Sequence, residues 1–267
     1  MPGPGLLFLK LGGSLITDKD SPSTPRLAII ERLADEIAAA RAAQPGLSLL
    51  LGHGSGSFGH TAARRHGTRQ GVHSPQEWLG FAEVWREARA LNQIVIDACA
   101  RAGLPVIAFP PSAAVLAQDG QPLRWDIAPL RAALHAGLIP VVNGDVIFDK
   151  ARGGTILSTE EAFLYLAHRL RPRRILLAGL EPGVWADFPT CRHLIPTLTP
   201  ETLSGHDVHL GGSASVDVTG GMREKVLAML ALSAAIPGLT VQIFTGLEPG
   251  LLTRVLLGEA AGTTLTA

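Results

Sequence analysis

Only two cysteines occur in 267 residues, Cys99 and Cys191, far apart and in no CxxC pattern. That excludes a disulfide framework and a structural zinc site, and a reducing cytoplasm fits best. Net charge is missing too. With 23 basic residues against 23 acidic ones, no global field draws the protein to nucleic acid or to an anionic membrane, so any bound anion has to be held locally. The longest apolar stretch, residues 226–236, is about half of what a membrane span needs. The opening Met1-Pro2-Gly3-Pro4-Gly5 has neither the basic residues nor the apolar core of a signal peptide. Standard nucleotide fingerprints are also lacking: there is no GxxxxGK[ST], and no GxGxxG follows the first strand, which argues against a P-loop enzyme and a dinucleotide dehydrogenase. Lysine is scarce, confined to Lys10, Lys19, Lys150 and Lys225.

What the chain does have is glycine turns after apolar runs. Leu6-Leu7-Phe8-Leu9-Lys10-Leu11 closes on Gly12-Gly13-Ser14, the pattern of a buried strand ending in a turn. A helical period over 26–43 leads to a second apolar run at 47–51 and then to Gly52-His53-Gly54-Ser55-Gly56-Ser57-Phe58-Gly59-His60. Strand, helix, strand in that order implies a parallel βαβ unit. Residues 67–75 read as a flexible connector or lid, followed by a long helix over 76–102 with an apolar stripe through Phe81, Trp85, Ala88, Leu91 and Val95. Further strands are expected at 106–109, within 138–148 on both sides of Asn143-Gly144-Asp145, at 174–178 and at 241–244. Helices are expected at 127–136, 160–170, from Asp217 to about residue 235, and at 251–257, with irregular structure over 179–215. The alternation predicts a three-layer αβα sandwich around a mostly parallel open sheet, in one domain spanning 1–267.

In such a sheet the turns gather at the carboxyl ends of the strands, where ligands bind. A strand that breaks into glycines and serines before a helix exposes backbone N–H groups suited to a phosphate, although glycine also serves a plain tight turn. Lys10, Lys19 and Lys225 lie near glycine turns. As mobile point charges they suit phosphoryl transfer, and Lys19 and Lys225 also fit solvated surface positions. His60 reads either as a donor to a phosphate oxygen or as a helix-start histidine satisfying local backbone. Asp145 could orient a lysine or a metal ion, or cap a turn.

Lys10-Leu11-Gly12-Gly13-Ser14 with Lys19, the glycine loop, Gly144-Asp145, and Asp217-Val218-Thr219-Gly220-Gly221-Met222 with Lys225 together resemble the amino acid kinase superfamily. Within it, Gly56-Ser57-Phe58-Gly59-His60 is similar to the isopentenyl phosphate kinases. The resemblance covers essentially the whole chain. It implies transfer of the ATP γ-phosphoryl group to isopentenyl phosphate, with Mg²⁺, in a cytoplasmic homodimer without nucleic acid or membrane partners. Carried over, Lys10, Lys19, His60 and Lys225 would be catalytic. Gly54, Gly59, His60 and Thr159 would bind the acceptor, and Lys10, Gly12, Gly13, Ser14, Ser55, Gly183, Gly221 and Lys225 the nucleotide; no residue is implied as a metal ligand. About 1–170 would serve the acceptor and about 171–267 the nucleotide. From the helix over 76–102, Trp78, Phe81 and Trp85 are candidates to line an apolar tail pocket, or to pack in the core.

Three segments depart from the pattern. Ser158-Thr159-Glu160-Glu161 stands for Ser-Gly-Asp-Asp, Gly179-Leu180-Glu181-Pro182-Gly183-Val184 for a run with Asp-x-Asp-Gly-Val, and Ser55 for glycine. Two other readings stay open: a kinase for another small anion, such as a fosfomycin-type phosphonate, and a nucleotide-binding protein without turnover.

Overall fold

A computed structural model describes residues 5–205 and 222–267. In chain order the first elements are β1 (Leu7–Leu11), α1 (Gly13–Ile16), α2 (Leu27–Ala43), β2 (Leu49–His53), α3 (Gly56–His66), α4 (Pro75–Arg101) and β3 (Val106–Ala108). Then come β4 (Val115–Gln118), β5 (Gln121–Trp125), α5 (Ala128–His135), β6 (Ile139–Asn143), β7 (Asp145–Asp149), β8 (Gly153–Leu157), α6 (Thr159–Leu170) and β9 (Arg174–Gly179). The remainder is β10 (Val184–Trp185), β11 (Leu194–Ile195), β12 (Thr197–Leu198), α7 (Pro200–Gly205), α8 (Met222–Ala235), β13 (Thr240–Thr245), α9 (Leu251–Leu256) and β14 (Thr263–Leu265).

Eight strands form the main sheet in the order β12-β14-β13-β9-β1-β2-β6-β3. Among them only the β13–β14 pair is antiparallel. Side chains alternate across β1. Leu7, Leu9 and Leu11 join the core formed with α2, α4 and α9, while Phe8 joins the core formed with α6 and α8. Strands covered on both faces are apolar throughout, which is why β1 and β2 read as continuous runs. The same alternation sends Lys10 to the face of Phe8, toward α6 and α8. β1 has β2 on one side and β9 on the other, so the chain leaves it in one direction and returns on the opposite side. A crevice at the carboxyl ends of the strands follows from that reversal.

Several expectations need correction. The helix after the glycine loop starts inside the loop, at Gly56, and Gly52 and His53 are strand residues. Glycine is a poor helix former; here burial of Phe58, Ala62 and Ala63 overrides that preference. Strands β4, β5 and β8 are not apparent from periodicity. With β7 they make a separate sheet in the order β5-β4-β7-β8, and the pair flanking Gly144 is split between the two sheets. The expected lid at 67–75 is pinned. Val72 is buried and its N–H donates to the Arg152 carbonyl at 2.8 Å, while the Thr155 hydroxyl donates to the Arg69 carbonyl at 2.9 Å. Irregularity over 179–215 is interrupted by the β10–β11 hairpin and by β12, which joins the main sheet. The helix expected from Asp217 is seen as α8; Asp217, Gly220 and Gly221 lie outside the described residues.

Candidate active site

The crevice opens into a cleft of about 840 Å³ lined by the turns after β1 and β2, by α6 and by α8. Those two turns abut. The N–H of Gly54 donates to the Leu11 carbonyl at 3.0 Å, and that of Gly12 to the Ala178 carbonyl on β9 at 2.8 Å. A Cβ at Gly13 would lie 2.5 Å from the Gly56 nitrogen, and one at Gly54 would lie 2.8 Å from the Gly13 nitrogen. Gly56 also has φ +51°, where a Cβ would meet the Thr17 hydroxyl. At these glycines neither turn has room for a side chain, so there the backbone itself forms the wall. Among the described residues no acceptor faces the N–H groups of Gly13, Ser14, Ser55 and Gly56. Donors of that kind, beside the N-terminus of α3, make an anion cradle.

Beside the cradle stands a group of charges, Lys10 buried and Glu160 and Lys225 partly so. Lys10 Nζ donates to Glu160 Oε1 at 2.6 Å, and Lys225 Nζ lies 3.5 Å from the same oxygen. The three residues come from β1, α6 and α8. Glu160 can turn inward because its neighbours cap the helix: Ser158 Oγ accepts from the Glu161 N–H, and Glu161 Oε2 accepts from the Ser158 N–H. Burial would push the Glu160 carboxyl up, but the two ammonium groups and the Lys10 hydrogen bond override it and hold the group well below the usual carboxylate range. Glu160 was legible only as a departure from a family pattern. A lysine ending a buried strand was its signal, since a buried charge requires a partner.

Other expected residues fall as follows. Lys19 and His60 line the cleft, His60 from the fifth position of α3. The Thr159 hydroxyl is fully buried and donates to the His53 carbonyl at 2.6 Å, and the Ser55 hydroxyl donates to the Gly144 carbonyl at 2.9 Å. Both hydroxyls thus tie the turns together. Gly59 lines the cleft within α3, and Gly183 lines it before β10. Gly221 lies outside the described residues. Asp145 borders the cleft and accepts N–H groups of Ser112 and Val146 at 3.1 and 2.9 Å, yet burial dominates and pushes its carboxyl up to about 6.

The two ends of the cleft differ. At one end Ala63, Val84, Ala88 and Ile156 form an apolar wall. Trp78, Phe81 and Trp85 are not part of it: Trp78 and Phe81 pack on Phe148 with ring centroids 5.9 and 5.4 Å away, and Trp85 is exposed under Arg89. The i, i+4 face of α4 through Val84 and Ala88 points inward instead. At the other end stand Trp185 and Phe188. Glu181 accepts from Trp185 Nε1 at 2.9 Å. Asp187 closes the hairpin loop by accepting N–H groups of Arg192 and His193, which with the Thr190 hydroxyl hold its carboxyl far below its ordinary value.

Known proteins resemble this chain in sequence and fold. The family model described as "Amino acid kinase family" matches residues 5–244. An isopentenyl phosphate kinase of Methanothermobacter thermautotrophicus is 35% identical, covering 98% of this chain and 99% of its own. One from Methanocaldococcus jannaschii is 31% identical over 97% of both chains. A solved isopentenyl phosphate kinase structure superposes with a TM-score of 0.83 at 30% identity, covering 98% of this chain and all of that one. The chain belongs to the amino acid kinase family and is similar along its whole length to isopentenyl phosphate kinases.

Proposed function

We propose that the cleft transfers the γ-phosphoryl group of ATP to isopentenyl phosphate, giving isopentenyl diphosphate and ADP. The observation that carries this reading is the juxtaposition of a backbone anion cradle with the Lys10–Glu160–Lys225 group in one cleft, between an apolar end and an aromatic end. A phosphate with a short hydrocarbon tail matches the cradle and the wall of Ala63, Val84, Ala88 and Ile156. The relatives named isopentenyl phosphate kinase support the same acceptor.

An acceptor phosphate is already anionic, so the work is alignment and neutralisation of charge rather than deprotonation. Ser55, which the resemblance assigns to the nucleotide, is placed here with the acceptor: its N–H and that of Gly56, with the His60 imidazole, hold the attacking phosphate, and Gly54 and Gly59 let it approach. Lys10, Lys225 and Lys19 face the transferring group, with Gly12, Gly13 and Ser14 beneath the nucleotide phosphates. Glu160 keeps the two ammonium groups side by side before substrate arrives. Apart from Lys10 and the Gly12–Gly13–Ser14 turn, residues up to about 170 serve the acceptor and the later ones, including Gly183 and Gly221, the nucleotide. Among the described residues no group of three His, Cys, Asp or Glu side chains could hold a metal ion. Mg²⁺ would enter with the nucleotide substrate, carried by its phosphates. A cytoplasmic homodimer completes the reading; among the described residues no helix is long and apolar enough to cross a membrane.

An ADP-release assay with isopentenyl phosphate and fosfomycin tests it. Turnover of isopentenyl phosphate is expected; turnover of fosfomycin alone would reject the reading. His60→Ala is expected to lower kcat/KM by more than about tenfold through loss of a charge-assisted hydrogen bond, and unchanged kinetics in the folded variant removes His60 from the site.

A further inference from the structure

We infer that the contact between His53 and Asn92 fixes the apolar wall of the cleft relative to the phosphate cradle, making both positioning residues for the acceptor. The inference rests on the acceptor reading given above.

His53 is the last residue of β2, has no exposed surface, and directly precedes Gly54. Its ring spans two elements: Nδ1 lies 3.1 Å from the Gly54 carbonyl oxygen, and Nε2 lies 2.9 Å from Asn92 Oδ1 on α4. Its own carbonyl accepts from the Thr159 hydroxyl at 2.6 Å and from the Gly144 N–H at 3.1 Å. One buried residue therefore joins the cradle to α4, to the start of α6 and to the turn between β6 and β7.

Asn92 is nearly buried and sits four and eight residues after Ala88 and Val84, on the same face of α4. Those two side chains line the apolar end of the cleft. The neighbouring contacts of α4 with the sheet, through Leu91, Val95 and Ala98, are apolar. Apolar packing has little directional preference, whereas a buried polar contact selects one register, because any slide leaves its groups unpaired. The His53–Asn92 contact thus sets how far the wall stands from the Gly54–Ser55–Gly56 backbone, the distance that an acceptor with a phosphate head and a hydrocarbon tail has to match. Among the described residues Asn92 makes no such contact with the aromatic end of the cleft, and the expected effect is on the acceptor rather than on the nucleotide.

The test compares wild type, Asn92→Leu and Asn92→Asp by steady-state kinetics. Asn92→Leu keeps the branched shape and removes the polar contact. It is expected to raise KM for isopentenyl phosphate about tenfold, while KM for ATP stays within about twofold. Asn92→Asp keeps an oxygen facing Nε2 and is expected to bring the acceptor KM back to within about threefold of wild type. A folded Asn92→Leu variant with an unchanged acceptor KM, or with both KM values raised together, overturns the inference. If wild type itself does not turn over isopentenyl phosphate, the acceptor reading fails separately, and amide hydrogen exchange decides the link. Asn92→Leu should then lose protection across residues 54–63 while keeping it across 226–235. Unchanged protection at 54–63 overturns it.

Discussion

The glycine cradle and the Lys10–Glu160–Lys225 group adjoin in one cleft but are ordered by opposite means. In the cradle, order comes from excluding side chains: the turns after β1 and β2 approach so closely that a single Cβ would strike the opposing backbone. In the charged group, order comes from adding a side chain, a carboxylate that gathers two ammonium ions which would otherwise repel. Damage to the first is steric and abrupt. Damage to the second is electrostatic and graded.

The largest effect should come from Lys10→Met, which keeps the stem and removes the charge; kcat is expected to fall about 10³-fold in the ADP-release assay. Gly13→Ala probes the cradle. With its Cβ 2.5 Å from the Gly56 nitrogen, the turns must part, and kcat/KM should fall by about 10² with a loss of about 1–3 kcal/mol in denaturant unfolding. If Gly13→Ala were graded like a surface substitution, the contrast between the two regions would break.

Glu160→Gln should act more mildly, lowering kcat by about tenfold because both lysines remain but are no longer gathered. It also carries a pH signature. The folded carboxyl lies below its ordinary value of 4.5, so Glu160 contributes its stability above that value and loses it as pH falls toward the lowered one. The stability advantage of wild type over Glu160→Gln should therefore be full at neutral pH and shrink in acid.

Asp145→Asn should have the smallest effect and the opposite sign. Its carboxyl is raised from 3.8 to about 6 by burial, so the folded state binds the proton more tightly, and stability is lost as pH rises through about 6. Relative to wild type, Asp145→Asn should gain several degrees in Tm between pH 4 and pH 8; a constant difference across that range would contradict the burial of this carboxyl.

The same contrast governs what was legible beforehand. Glycine is visible in a sequence because few other residues fit its turns, so the cradle at Gly12-Gly13 and Gly54-Ser55-Gly56 and the central strands β1, β2 and β9 could be read directly. Lys10 was legible as a cation closing a buried strand. Its partner was not, because Glu160 is 150 positions away and no local pattern records a meeting across the fold. Strands β4, β5 and β8 escaped for a related reason: their burial is partial and alternates irregularly, so they lack the continuous apolar run of the main sheet. The aromatic residues Trp78 and Phe81 sit on the inward side of α4, as a stripe suggests, but their neighbour there is Phe148 of the second sheet. The cleft wall falls to Val84 and Ala88.

The division of labour between cradle and charged group is tested most directly by a crystal structure with isopentenyl phosphate and a non-hydrolysable ATP analogue bound. The acceptor phosphate is predicted to lie against His60 and the Ser55 and Gly56 N–H groups with its tail toward Val84 and Ala88, and the nucleotide γ-phosphate against Lys10 and Lys225. An acceptor phosphate found beside Trp185 and Phe188, with the cradle left to the nucleotide, would contradict the account.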